Sequence, residues 1–412
     1  MRQVAIVTTF GTWDKSYSLT TVVEQQLKML VENGHEPILI AQRGFDGCPV
    51  EGVTVRPALP EFQWRDITSP ELREGEQDRV NDIKQALEDT LKDIDIAIFH
   101  DFILQGWFHL HGLAVMAAEL DCKCFHQIHS VPSEPMITPP EGHDILYLNY
   151  TDRIYCAERY GIDASRVHIL YNTVEPQNWN ITDEGDMARG MTGFMAGDVR
   201  ITYPLSATRM DAKGVPKLLK LADKMREHGA SVKVLICNAH ATGDREHRRA
   251  QELETDDVFF TSLLDDEWAY TFPNDAVRDC MRHSNMFVFP TISENNSLVL
   301  LEAMDAGNYL LLNESFPPLA EFGGAHAQYA RFGSSRMNVQ YDNEDVYYSG
   351  VAKIALDLVD QNTGSQLGAG TSYGDLARKR FRSLFSREWI WENQFKPLVE
   401  DSVITPRLSV ED

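Results

Sequence analysis

Short apolar runs alternate with segments of helical period along nearly the whole 412-residue sequence. The pattern opens with an apolar run at 4–10, an amphipathic segment at 18–34 and a second apolar run at 36–42. Gly34 stands at the end of the helical segment, where a helix C-cap is expected. A strand, a helix and a strand in this order predict a parallel pair joined by a right-handed crossover.

The alternation comes in two series, which a polar, glycine-rich stretch at 175–198 separates in the manner of a linker. A chain of this length is too long for one ordinary core and suits two domains. We therefore expect an α/β protein of two Rossmann-like domains, with parallel sheets facing across a cleft. The expected parts are a first domain at 1–180, a second at 181–384, and a C-terminal helix and tail at 385–412 that cross back to the first domain. The other predicted strands are 96–100, 122–129, 152–158, 167–172, 200–207, 231–239, 258–263, 286–291 and 308–313, and the other predicted helices are 79–95, 107–121, 215–229, 275–284 and 297–307.

The charge balance is strongly acidic, with a formal net charge of -24 and a pI near 4.9. Such a surface repels nucleic acids and anionic membranes in bulk, although it leaves room for a local basic groove. No apolar run is long enough to span a bilayer. The opening sequence MRQVAIVTTF reads as a buried strand rather than a signal peptide, so we expect a cytoplasmic protein.

Six cysteines in a chain of this length do not form a disulfide framework. Cys122 and Cys124 lie near His126 and His129 in the sequence, which raises the hypothesis of a metal site. The cluster lacks the paired spacing of zinc sites, so we predict no metal ion there. Cysteines in apolar strands behave as small hydrophobic residues.

The most informative stretch is 286–307. A predicted strand ends at Pro290, the following loop carries Glu294, and Glu302 comes after seven intervening residues on a predicted helix. The carboxylate of Glu302 can accept hydrogen bonds from two adjacent hydroxyls, as on a ribose.

The start of that helix predicts an anion site. Asn296 or Ser297 can cap the helix, which leaves the amides of Ser297 and Leu298 without partners inside it. These amides stand at the positive end of the helix dipole, and the combination is suited to a phosphate group.

This pattern of strand, Pro, Ser-Glu, polar loop and Leu-Glu-Ala-Met-x-Ala-Gly resembles the Glu-x7-Glu motif of retaining GT-B glycosyltransferases, especially the large family 4 class. The resemblance implies a nucleotide-diphosphate sugar as the donor substrate, with Glu294 facing the sugar. The residues it places on the donor are Glu302, Asn295, Asn296, Ser297 and Leu298.

The segment 207–222 resembles the Gly-Arg…Lys-Gly segment that opens the donor domain of the same family. Arg209 and Lys213 match its two cations, which implies that they neutralise the diphosphate and the charge that develops on the leaving group. Thr208 stands where the family usually has a glycine.

The resemblance extends into the first half of the chain. The run FHQIHS at 125–130 matches the place where a family histidine contacts the donor sugar, and His129 is the first choice, with His126 second. His100 and Asp101 follow the preceding predicted strand and are candidates for the acceptor side.

Two further segments depart from the family pattern. Gly11 stands alone in the first strand-to-helix turn, where the family often has two glycines that let donor or acceptor approach the backbone. Trp13 and Tyr17 in the same turn either stack on a ligand or cover the loop. Residues 172–175 read Asn-Thr-Val-Glu in place of the family's Asn-Gly-Val-Asp.

The predicted activity is a retaining hexosyl- or pentosyltransferase that moves a sugar from a nucleotide-diphosphate sugar to an acceptor hydroxyl on a small molecule, glycan or lipid. The family generally needs no bound metal, because cations and the helix dipole stabilise the leaving diphosphate. One alternative is a DNA glycosyltransferase acting on a hydroxymethylated base, for which the basic run Arg378, Lys379, Arg380, Arg382 and Arg387 would contact phosphates.

Two rival classes stay open. One is an epimerase or phosphorylase on the same fold, and of these an epimerase would act on the nucleotide-sugar alone. The other is a non-catalytic nucleotide-sugar-binding protein. Activity measurements on variants of Glu294 and Lys213 distinguish these classes from a transferase.

Overall fold

The structure is a computed structural model, and it describes residues 2–14, 17–62, 71–104, 109–132, 137–176, 180–206, 209–239, 244–269, 271–363 and 372–400. The chain divides into two compact units at Thr173/Val174 and again at Ser386/Arg387. The second unit is the central part of the chain, and the first unit contains the residues before it together with those from Arg387 onward. Each unit is built on its own sheet.

The sheet of the first unit has seven strands, all parallel, in the order β3-β2-β1-β4-β5-β6-β7. Its central strands are apolar and buried on both faces, as expected for a parallel sheet covered by helices on each side. The strands are β1 Gln3–Val7, β2 Glu36–Gln42, β3 Thr54–Leu59, β4 Ile96–His100, β5 Lys123–Gln127, β6 His143–Tyr147 and β7 Val167–Ile169.

Four helices of the first unit connect these strands: α1 Ser18–Glu32, α2 Glu76–Leu91, α3 His109–Ala117 and α4 Arg153–Tyr160. The apolar faces of α2 and α3 pack with β1, β2 and β4 in one continuous core. The strand order switches at β1, because β2 and β3 add on one side of it and β4 to β7 on the other.

The sheet of the second unit repeats this arrangement with six parallel strands, in the order β10-β9-β8-β11-β12-β13. Its strands are β8 Val199–Ser206, β9 Val232–Ala239, β10 Val258–Phe260, β11 Met286–Phe289, β12 Tyr309–Asn313 and β13 Ala327–Ala330. Its helices are α5 Asp183–Thr192, α6 Val215–Glu227, α7 Asp244–Leu253, α8 Thr261–Leu264, α9 Asn274–His283, α10 Leu298–Ala306, α11 Pro318–Gly323, α12 Glu344–Thr363 and α13 Tyr373–Leu384.

The chain re-enters the first unit through α14 Arg387–Ile390, a π-helical turn at Trp391–Phe395, and α15 Lys396–Glu400. Arg387 forms an ion pair with Glu32 at 3.1 Å. The side chain of Gln394 accepts a hydrogen bond from the amide of Tyr171 at 2.8 Å. This C-terminal segment therefore packs on the first unit.

The expectation of two parallel α/β sheets is confirmed, but two segments were predicted wrongly. Residues 152–158 form a helix rather than a strand, because Cys156, Ala157 and Tyr160 are buried at helical spacing. The expected linker at 175–198 contains α5.

Helix α5 is held by a buried ion pair that its polar sequence does not reveal. Arg189 contacts Asp279 of α9 at 2.9 Å, and both side chains are buried. The carboxylate of Asp279 also accepts a hydrogen bond from the amide of Thr182 at 3.0 Å, and the Thr182 side chain caps α5. Tertiary pairing, rather than hydrophobic periodicity, thus stabilises this helix.

The predicted strand at 258–263 is shorter than expected, because β10 ends at Phe260 and α8 follows directly. The sequence analysis did not single out β3, β6, β13 or α12. No helix in the described parts of the chain combines the length and the apolar character needed to cross a membrane.

Candidate functional site

The donor residues proposed from the second half of the sequence lie at the carboxyl edge of the second sheet. β8 and β11 are adjacent and parallel, and the chain builds outward from them in opposite directions. Open α/β sheets bind ligands at such a switch point, outside the carboxyl ends of the strands. Arg209 and Lys213 follow β8, and Glu294 follows β11.

A close approach of backbone to backbone positions the loop after β8. Gly214 has φ +73°, and a Cβ built on it would lie under 3.0 Å from the carbonyl oxygen of Pro290. The amide of Ile292 donates to the carbonyl of Ala212 at 3.0 Å. Only glycine combines the left-handed conformation with this contact, so the Lys-Gly pair places Lys213 against the loop after β11.

Lys213 and Glu294 form an ion pair directly at this edge. Both side chains are largely buried, and the ammonium lies 5.7 Å from the ring centre of Phe289. The hydroxyl of Tyr203 donates to the carbonyl of Lys213 at 2.6 Å and fixes its backbone. A lysine has three N–H donors, so the pairing with Glu294 leaves donors for an anionic ligand.

Arg209 lies one turn before Lys213, because the amide of Lys213 donates to the carbonyl of Arg209 at 2.8 Å. Its side chain is exposed. Within the described part of the chain, no hydrogen bond or ion pair engages the Arg209 guanidinium. The structure thus brings both predicted cations onto one turn of the same loop.

The first turn of α10 has the features of an anion site. Ser297 is the N-cap, and its hydroxyl accepts from the amide of Leu300 at 3.4 Å. The amides of Leu298 and Val299 donate to none of the described residues. Asn295 and Asn296 are buried just before the cap, and the amide of Asn295 donates to the Glu294 carboxylate at 3.2 Å.

Glu302 lies four residues after Leu298, on the same face of α10 as the free amides. Its carboxylate Oε1 accepts from Nε of Arg278 on α9 at 3.1 Å. The sequence analysis missed Arg278, since no spacing or motif distinguishes it from the other charged residues of α9.

In the first unit, His100, Asp101 and His129 form one cluster at the carboxyl ends of β4 and β5. Nδ1 of His100 and Nε2 of His129 lie 2.9 Å apart, and their rings are stacked. The amide of His129 donates to the Asp101 carboxylate at 2.9 Å. Asp101 has φ +61°, a conformation uncommon outside glycine, within a buried turn.

Burial determines the protonation of this cluster. It lowers the pKa of His129 to about 3, and it lowers the pKa of His100 well below the ordinary value, with His129 adding to the effect. Burial raises the pKa of Asp101 to about 7, although the hydrogen bond from the His129 amide acts in the opposite direction. Both histidines are therefore neutral near pH 7 and offer hydrogen bonds rather than charge.

His126, the second choice for a sugar contact, lies in the core instead. Its ring stacks on Phe99 with centroids 5.2 Å apart, and its Nε2 lies 3.1 Å from Nδ1 of His143. The residues of the hypothetical metal site have other partners. The sulfurs of Cys122 and Cys124 contact each other at 3.7 Å, and His126 contacts Phe99 and His143. Among the described residues, no three His, Cys, Asp or Glu side chains are grouped as metal ligands.

Gly11 lies on the exposed turn after β1, and a Cβ there would make only ordinary contact with Gln42 at 3.6 Å. Trp13 packs edge-on against Phe10 and Phe45, with centroids 6.0 and 6.4 Å apart. The tryptophan therefore covers this loop.

The basic run near the C-terminus does not form an outward-facing phosphate surface. Arg378 donates to the carbonyls of Asp305 and Ala306 at 2.8 and 2.9 Å. Arg380 donates to the carbonyls at the end of α11, and Arg387 pairs with Glu32. Three of the five cations are thus engaged in the fold, and the DNA alternative has no structural support.

Comparison with known proteins matches the region that holds the second-unit site. Residues 203–325 match the family model Glycosyl transferases group 1. The matched range contains Arg209, Lys213, Arg278, Glu294 and Glu302.

One curated protein similar to this chain is the putative glycosyltransferase EpsF of Bacillus subtilis (strain 168), 24% identical over 192 residues. The alignment covers 43% of this chain and 46% of EpsF, so the chain matches slightly less than half the length of that relative.

Solved structures show that the fold of this chain is GT-B. Sucrose-phosphate synthase of Thermosynechococcus elongatus superposes with a TM-score of 0.64 at 14% identity, over 98% of this chain and 100% of that one. Anabaena HepE in complex with UDP-glucose superposes with a TM-score of 0.61 at 12% identity, over 97% and 99% of the two chains.

Proposed function

We propose that the protein is a retaining glycosyltransferase that takes a sugar from a nucleotide-diphosphate donor and transfers it to an acceptor hydroxyl. The observation that carries the proposal is the meeting of Lys213, Glu294 and the capped start of α10 at the switch point of the second sheet. The range that matches the family model spans all three.

The diphosphate would bind between the cations and the helix. Arg209 and Lys213 supply charge, while the amides of Leu298 and Val299 supply donors at the positive end of α10. In an acidic chain of net charge -24, this local arrangement is what attracts an anionic donor. The same groups would stabilise the negative charge that develops on the leaving diphosphate.

Glu294 would face the sugar and Glu302 the ribose. The ion pair with Lys213 would keep Glu294 near the point where diphosphate and sugar join. In a retaining transfer without a covalent intermediate, a phosphate oxygen of the leaving group accepts the proton of the acceptor hydroxyl on the same face. His129, the first choice for a sugar contact, is neutral near pH 7 and so offers a hydrogen bond rather than a proton.

The comparisons support the donor class. HepE of Anabaena has been solved in complex with UDP-glucose, and its fold is shared by this chain. A nucleotide-diphosphate sugar contains the phosphates and the diol that the second-unit site would bind. The acceptor class, a small molecule, glycan or lipid hydroxyl, is proposed with the activity.

The experiment measures donor hydrolysis and sugar transfer with UDP-, GDP- and ADP-sugars for wild type, Lys213→Ala and Glu294→Ala. We expect each substitution to reduce kcat by about 100-fold or more, since each removes a charged group next to the reacting bond. Lys220→Ala is the matched control, because Lys220 lies on α6 and pairs with the exposed Glu344. It should retain wild-type activity.

A wild type that binds nucleotide but neither hydrolyses nor transfers sugar would favour the non-catalytic binder. Interconversion of the donor sugar without an acceptor would instead indicate an epimerase.

A further inference from the structure

Arg278 on α9 pairs with the carboxylate of Glu302 and constrains its orientation. Nε of Arg278 donates to Oε1 of Glu302 at 3.1 Å, and the two side chains are 21% and 16% exposed. A carboxylate this far out of water needs a partner, since an unpaired charge there is costly. Arg278 supplies that partner from α9, the helix beside α10.

The surroundings keep Arg278 in place. Burial acts to lower the pKa of Arg278, but the carboxylates of Glu302, Asp275 and Glu175 together raise it above the ordinary value. The guanidinium is thus held among acidic groups of the second unit. Its planar geometry also fixes the direction of each N–H bond, which a lysine ammonium would not do.

The pairing leaves the two oxygens of Glu302 unequal. Oε1 is occupied by Arg278, whereas Oε2 contacts no hydrogen-bond donor among the described residues. Glu302 also lies about one helical turn along α10 from the amide of Leu298. A carboxylate with one fixed oxygen presents the other in a single orientation.

We propose that Arg278 is a positioning residue that holds Glu302 so that Oε2 accepts a hydrogen bond from the donor ribose, and that it thereby sets the preference for ribo- over deoxyribonucleotide donors. The inference rests on the proposed donor binding. It adds a residue that touches no substrate and acts only through Glu302.

The test measures dissociation constants by calorimetry for UDP, GDP and ADP, each beside its 2′-deoxy and 3′-deoxy form. The variants are Arg278→Gln, Arg278→Lys, Glu302→Gln and the double variant Arg278→Gln/Glu302→Gln. Arg282→Gln is the control, because Arg282 is exposed one turn further along α9. Thermal unfolding of each variant shows that it is folded.

For the nucleotide that binds, we expect wild type and Arg282→Gln to prefer the ribo form over at least one deoxy form by about 10-fold or more. Arg278→Gln should reduce this preference to within about 3-fold while affinity for that deoxy form stays near the wild-type value. Arg278→Lys should restore part of the preference. In the Glu302→Gln background, Arg278→Gln should change the preference no further.

The inference is overturned if Arg278→Gln weakens ribo and deoxy forms equally, or if it leaves the preference at the wild-type ratio. It is also overturned if the two substitutions have additive effects, since Arg278 would then act independently of Glu302. If the wild type binds none of these nucleotides, the result contradicts the proposed function itself and, with it, the inference.

Discussion

Gly214 shows how one residue determines the geometry of the second-unit site. Its left-handed conformation turns the chain directly after Lys213, and the missing side chain lets that turn lie on the carbonyl of Pro290. The ion pair between Lys213 and Glu294 depends on this contact, because the two residues come from loops 81 positions apart in the chain.

Gly214→Ala should destabilise the protein by about 2–4 kcal/mol, since it adds backbone strain and forces Pro290 away. It should also reduce sugar transfer, because Lys213 would move with the loop. Gly229→Ala is the matched control. Gly214 directly precedes α6 and Gly229 lies just after its end, also left-handed with φ +93°, but a Cβ on Gly229 would have no atom within 4 Å. That variant should lose only about 1 kcal/mol.

Urea denaturation of both variants measures the difference. Equal losses of stability for Gly214→Ala and Gly229→Ala would show that the contact with Pro290 contributes nothing.

Among the elements, α10 is held at both of its ends. Ser297 caps the first turn, and at the other end Arg378 of α13 donates to the last carbonyls, those of Asp305 and Ala306. Gly374 lets α13 approach, because a Cβ there would lie under 3.0 Å from the carbonyl of Gly307. An arginine at a helix C-terminus also interacts favourably with the helix dipole.

Arg378→Ala should lower the free energy of unfolding by about 1–3 kcal/mol, because two charge-assisted hydrogen bonds are lost and two carbonyls lose their partner. Arg382→Ala, on the exposed side of the same helix, should stay within about 0.5 kcal/mol of wild type. Chemical denaturation decides the matter, and a similar loss in both variants would contradict the capping role of Arg378.

The elements also show where sequence reasoning succeeds. The apolar runs of β1, β4, β8 and β11 and the order of strand and helix were enough to predict two parallel sheets. The predicted anion site was equally local, since the loop after β11, the Ser297 cap and Glu302 lie within one stretch of sequence. Their assignment to donor contacts stays a prediction that the variants above test.

Where sequence reasoning failed, the cause was tertiary. Helix α5 was missed because a buried pair, Arg189 with Asp279, stabilises it in place of an apolar stripe. The contact of Arg278 with Glu302 joins two helices, so no spacing of residues in the sequence predicts it. His126 resembled a site residue by position, but the alternation of side chains along β5 directs it into the core.

At the scale of the whole molecule, the two units differ in their buried titratable groups. His100, His111, His126 and His129 all lie in the first unit, and burial lowers the pKa of each, to about 4 for His111 and about 3 for His129. In the second unit, burial acts to raise the pKa of Asp279, but hydrogen bonds from Thr182 and Arg189 lower it overall.

We expect the first unit to lose stability before the second as the pH falls from 6.5 toward 4. The unfolded histidines bind protons from about pH 6.5 downward, whereas the folded ones do not until near their lowered pKa values, so acid favours unfolding. Asp101 acts in the opposite direction, because its raised pKa lets the folded state bind a proton before the unfolded state does. This gain in stability offsets the loss caused by about one histidine. The contribution of Asp279 disappears only at still lower pH.

Hydrogen exchange read by mass spectrometry at pH 7, 6 and 5, corrected for intrinsic exchange rates, measures this for each unit separately. Protection in the first-unit strands β4 and β5 should fall at pH 5 while that of β8 and β11 persists. A parallel decline in both sheets, or none, would contradict the assignment to histidines.

The hydrogen bonds from Arg378 of α13 to the end of α10 have a consequence for the proposed binding of the donor. A helix anchored at its tail cannot slide backward along its axis when an anion arrives at its front. The amides proposed to bind the phosphates would therefore already be oriented before the donor binds, and the entropy of ordering them would be lost during folding rather than during binding.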